Sequence, residues 1–77
     1  MNPRIKSAQA LSGHRLDVEF VNGERRIFDA SPYLDVGVFR ALRDPAIFAG
    51  VVVVNGAIQW PGEIDLSWDT VYLRSAA

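Results

Sequence analysis

Ser12 and His14 flank a glycine in "LSGH", and a serine beside a histidine is where nucleophilic catalysis would be sought first. A dyad needs the base turned onto the hydroxyl, a strained nucleophile and oxyanion donors, and two residues in one turn supply none of these. His14 is the only histidine, with no ligand pattern around it, so it reads as an exposed turn residue rather than a base or a metal ligand. Glu63, Asp65 and Asp69 form the densest carboxylate cluster. Calcium loops use a longer, more regular series of oxygens, and Asp69 already suits a helix start, so no metal site is assigned. Four arginines, Arg25, Arg26, Arg40 and Arg43, would bind phosphate if folding gathered them. Glu19, Glu24 and Asp44 intersperse, and no exposed aromatics are evidently interleaved for base stacking, so a solvated face is the plainer reading. No catalytic residues, cofactor or small-molecule ligand emerge.

Two tryptophans remain. Trp60 closes an apolar strand and is expected in the core; Trp68, at the first position of a helix, suits a core or an interface equally.

These side chains must be carried by one small domain, residues 1–77, close to the lower limit for a single hydrophobic core. With 49% hydrophobic and 22% charged residues, the composition is that of a packed globule. There is no cysteine, which excludes disulfides and a thiol nucleophile and fits a reducing compartment. Neither a signal peptide nor a membrane span is apparent, so the cytoplasm is the expected location. The net charge is -1, with residues 1–43 carrying seven basic and five acidic groups and the remainder one and four. That mild dipole gives no general field for nucleic acid.

Weak alternation in "IKSAQAL" (residues 5–11) and clear alternation in "RLDVEFV" predict two strands, the second with Leu16, Val18 and Phe20 on one side. Asn22-Gly23 predicts a two-residue type I′ hairpin, in which Glu19 faces Arg26 and Val18 faces Ile27. Ser31 is placed to cap, and a helix is expected over about Val36 to Arg43, burying Val38, Phe39 and Leu42. Asp44-Pro45 repeats the cap-then-proline signal and carries Ile47 and Phe48 inward. Asn55-Gly56 predicts a second two-residue hairpin, pairing Val53 with Ile58 and Val51 with Trp60 on one face, and Val52 and Val54 with Gln59 and Ala57 on the other. Pro61-Gly62 ends that strand. A last helix is capped by Ser67, with Leu66 stapled to Val71 and Arg74 near its end. The repeated Asn-Gly reads as one favoured turn used twice rather than an internal duplication. The expected fold is therefore α+β: a small, mostly antiparallel sheet in the order β-β-β-α-β-β-α, with two short helices packed on it.

"VEFVNGERRIFDASPYL", "GVFRALRDPAIFAGVVV" and "IQWPGEIDLSWDTVYLR" together resemble the small bacterial proteins grouped as domain of unknown function 2442. The resemblance covers about Leu16 to Arg74 and implies a fold more than an activity. Members are often free-standing; some similar domains precede a helix-turn-helix, and some lie beside another small protein in pairs suggestive of toxin and antitoxin. No helix-turn-helix is expected within these residues, which puts direct DNA reading by them in doubt.

Coverage then directs the functional expectation. An unbroken valine run is apolar on both sides, and two short helices can cover one face of a sheet but hardly both. The expectation is a non-enzymatic protein-interaction module that meets a protein partner, or a second copy of itself, through Val52, Val54, Ala57 and Trp68. The alternative is a small regulator touching nucleic acid through Arg25, Arg26, Arg40 and Arg43.

Overall fold

A computed structural model describes residues 2–76. Strands β1 (Ile5–Leu11), β2 (Arg15–Phe20) and β3 (Arg25–Asp29) form an antiparallel meander. Leu16, Val18 and Phe20 are buried on one side of β2, as the alternation predicts.

The first hairpin departs from its predicted register by one residue. Glu19 pairs with Arg25, Val18 with Arg26 and Asp17 with Ile27, and the Phe20 N–H donates to the Glu24 carbonyl at 2.8 Å. Val21, Asn22 and Gly23 thus make a three-residue loop, with positive φ only at Gly23 (91°) rather than at both loop residues. The Asn22 side chain favours this alternative: its oxygen accepts from the Glu24 N–H at 3.0 Å and its amide donates to the Glu24 carboxylate at 2.8 Å. The slip turns β3 over rather than β2. Arg26 moves to the covered side and Ile27, expected inside, is 38% exposed.

After β3, Asp29 rather than Ser31 satisfies the chain turn, its carboxylate accepting from the Ser31 N–H at 2.9 Å. Residues 31–33 and Gly37–Arg43 are 3₁₀ rather than α-helical. At three residues per turn Phe39 and Leu42 fall in line and pack inward, whereas Val38 is rotated out and 66% exposed, correcting its assignment to the core. Helix α1 (Pro45–Ala49) follows its predicted signal: Asp44 accepts from the Ala46 N–H at 2.9 Å, and Phe48 is buried.

Strands β4 (Val52–Val54) and β5 (Ala57–Trp60) pair in the predicted register, with Asn55 and Gly56 both at positive φ as a type I′ turn requires. Pro61-Gly62 does not end the strand order, however. A turn with positive φ at Gly62 and Glu63 leads into a sixth strand, β6 (Ile64–Leu66), which pairs with β5. The α+β class stands, but among the described residues the antiparallel strands number six and form two three-stranded sheets instead of five in one. The sheets meet at Ile5, whose N–H donates to the Gly56 carbonyl at 2.9 Å, while the Val21 N–H, donating to the Arg4 carbonyl also at 2.9 Å, extends the first sheet.

Helix α2 (Trp68–Arg74) begins at Ser67, whose hydroxyl accepts from the Thr70 N–H at 3.3 Å. It delivers Val71 to the core and sets Tyr72 edge-on to Phe20, centroids 5.1 Å apart. Beyond it, Ala76 and Ile27 exchange backbone hydrogen bonds of 2.8 and 2.9 Å. The core joins both sheets: Leu16, Phe20 and Phe28 from the first, Ile58, Trp60 and Ile64 from the second, with Leu42, Phe48 and Val71 between. No helix among the described residues is long and apolar enough to cross a membrane.

Candidate functional site

The type I′ turn fixes which residues of the second hairpin share a face. Ile58 and Trp60 turn inward and are buried. Alternation then puts Val52 and Val54 on the opposite side, across from Gln59 and Ala57, with Asp65 beyond Gln59 on β6. Val52 is 52% and Val54 40% exposed, while Ala57 and Gln59 are half-buried. The helices do not relieve that exposure, because Phe48 of α1 and Val71 of α2 both enter the core on the inner side. Three of the four predicted contact residues, Val52, Val54 and Ala57, therefore lie together on one outward face.

Trp68 is placed differently. It is half-buried against the core, with the Arg4 guanidinium 4.9 Å from its ring centroid and its indole N–H buried without a partner among the described residues. Trp60 is buried as expected and stacks on Phe48 at 5.9 Å, donating from Nε1 to the Phe48 carbonyl at 3.1 Å.

The four arginines are not gathered into one surface. Arg25 lies on the outer side of β3, donating to Asp17 at 3.0 Å and lying 3.5 Å from Glu19; the hydrogen bond to Asp17 raises its pKa. Arg26, its neighbour, points to the opposite side. There it pairs with Glu24 at 3.0 Å, stacks 4.0 Å from the Tyr72 centroid and donates to the carbonyls of Tyr72 and Ser75 at 3.4 Å each. Arg40 reaches the Asp35 carbonyl at 3.4 Å, and Arg43 donates to the Leu34 carbonyl at 2.9 Å and pairs with the Asp35 carboxylate. Each guanidinium is already held by an oxygen of its own chain.

Sequence reasoning missed the group formed by Glu24, Arg26 and Tyr72. The Glu24 carboxylate accepts from Asn22, Arg26 and, at 2.9 Å, the Tyr72 hydroxyl, which together hold its pKa below the ordinary carboxylate value. The Glu24 hydrogen bond is the chief cause of a raised Arg26 pKa. This cluster ties the first hairpin to the end of α2. Its signal was the spacing Glu24-x-Arg26, which puts opposite charges on one side of a strand whatever the register.

His14 is half-buried, not exposed, and takes φ 57° in the β1–β2 turn. Its ring lies edge-on to Phe48 at 5.1 Å, and its Nε2 is buried without a partner among the described residues. With Ser12, Leu11, Pro45 and Ala49 it lines a cleft of about 250 Å³. The described residues contain no group of three His, Cys, Asp or Glu side chains placed to hold a metal ion, so Glu63, Asp65 and Asp69 are not assembled into one.

A comparison with curated proteins finds a 46-residue stretch 41% identical to part of phosphoglycerate kinase from Thermococcus kodakarensis. It covers 57% of this chain but 11% of the kinase, so the chain spans about a tenth of the length of the curated relative it matches. No solved structure matches. The family described as "Protein of unknown function (DUF2442)" matches residues 5–77, from the start of β1 through the Ala76 bridge. The chain belongs to that family.

Proposed function

We propose that this chain is a non-enzymatic interaction module of the cytoplasm, one member of a two-protein pair, which engages protein through the outer face of its second sheet. What supports this reading is the exposure of Val52 and Val54 side by side on a strand without charge, backed by Ala57. The charged groups of the first sheet satisfy one another instead: Lys6, Asp17, Glu19 and Arg25 form ion pairs across β1, β2 and β3. The arginine alternative draws no support from the geometry, since a phosphate would have to displace an existing partner at each of Arg25, Arg26 and Arg43.

The face is tested with Val54→Lys. In the absence of its partner the chain hides this face by weak twofold self-association, so sedimentation of the wild type shifts with concentration and that of the variant does not. Because Val54 already meets water, the lysine leaves the circular dichroism spectrum unchanged. A wild type that sediments as a monomer at every concentration, or a variant that unfolds, would overturn the proposal.

A further inference from the structure

The chain has three asparagines, Asn2, Asn22 and Asn55, and the structure separates them by chemical fate. An asparagine followed by glycine ages by attack of the following backbone nitrogen on its own side-chain carbonyl carbon, because glycine has no side chain to shield that nitrogen. The requirements are a free carboxamide and a free amide N–H on the next residue. Asn2 is excluded, since Pro3 has no N–H to give up. Asn22 and Asn55 both precede glycine and both are exposed, so sequence and accessibility do not distinguish them.

Hydrogen bonding does. In the first hairpin the Gly23 N–H donates to the Phe20 carbonyl at 2.9 Å, and both ends of the Asn22 carboxamide are bound to Glu24, at 3.0 and 2.8 Å. Attack there breaks three hydrogen bonds. In the second hairpin, neither the Gly56 N–H nor the Asn55 carboxamide has a hydrogen-bond partner among the described residues. The Gly56 carbonyl is engaged, by the Ile5 N–H at 2.9 Å.

We infer that Asn55 is a site of spontaneous covalent modification, deamidating through a succinimide, while Asn22 is protected by its turn. The Gly56 nitrogen forms a bond to Cγ of Asn55 and the Cγ–Nδ2 bond breaks, ammonia leaving with the proton from the Gly56 N–H. Water then opens the five-membered imide at one of its two carbonyls, giving aspartate or isoaspartate, with no change of oxidation state. Either product puts a carboxylate between Val54 and Ala57. Isoaspartate also adds a methylene to the main chain beside the Gly56 carbonyl that joins the two sheets.

The test incubates the whole protein at mildly alkaline pH and follows ammonia loss at each asparagine by peptide mass mapping, with enzymatic methylation to report isoaspartate. Loss at Asn55 is expected to be several-fold faster than at Asn22. Asn55→Gly, which tolerates φ 52° and keeps the turn, should abolish the fast component and leave the slow one. Equal loss at the two sites, faster loss at Asn22, or no loss at either overturns the inference.

Discussion

Replacing Trp60 with phenylalanine removes one hydrogen-bond donor and part of one ring, and the structure says what each is worth. The Phe48 carbonyl lies at the end of a five-residue helix, where no further turn offers it an N–H, and the Trp60 Nε1–H takes that place at 3.1 Å. Leaving a buried carbonyl without its donor costs about 1–3 kcal/mol. Trimming an indole that is only 3% exposed and stacked on Phe48 adds about 1–2 kcal/mol, a fraction of the ~3–5 kcal/mol for truncation to alanine. The sum, about 2–5 kcal/mol, is a large part of the roughly 4–12 kcal/mol that a chain of 77 residues commands. Trp68→Phe is the counterpart. There the indole N–H is already buried without a partner among the described residues, so removing it relieves a desolvation penalty and the change should stay within about 1 kcal/mol. Urea denaturation followed by far-UV circular dichroism measures both, with midpoints moving and slopes unchanged. Equal losses for the two variants, or a loss below about 1 kcal/mol for Trp60→Phe, would refute the reasoning.

The two hairpin glycines should separate in the same assay. Gly56→Ala combines φ 82° with a Cβ 2.8 Å from that of Arg4, whereas Gly23→Ala, at φ 91°, meets nothing within 4 Å, so the first should cost more than the about 1 kcal/mol expected of the second. Acid stability should depend on Asp29, whose pKa is held down by its hydrogen bonds from Ser31. A carboxylate with a folded pKa below its unfolded one stabilises above the unfolded pKa and loses that contribution as pH falls through the folded value, so Asp29→Asn should flatten the acid side of a stability-versus-pH curve.

The second hairpin was legible in its turn and its register over Val52–Val54 because its signals agree: Asn-Gly, the valines and the apolar Ile58 and Trp60 require one register, although Val51, expected opposite Trp60, stays outside the ladder. The first carries the same dipeptide, yet Asn22 bonds its carboxamide to Glu24 and the loop takes in Val21, a competition that turn propensity does not express. Val38 was misplaced because the stretch has an apolar pattern readable at 3.6 residues per turn but winds at three. β6 escaped notice since three residues after Pro-Gly give too short a pattern for alternation to register. The outward valine face, by contrast, followed from coverage alone: both helices proved short and both pack on the inner side.

The pairing of Ala76 with Ile27 bears on what the edge of the first sheet offers to other chains. β3 is an edge strand of its sheet, and an unpaired edge carrying a partly exposed isoleucine offers a row of donors and acceptors to any passing chain. Here both backbone groups of Ile27 are taken by Ala76, and Arg26, by binding the carbonyls of Tyr72 and Ser75, steadies the segment that reaches across. The strand end that would template aggregation is thus plugged from within, by a contact of two hydrogen bonds anchored through one arginine.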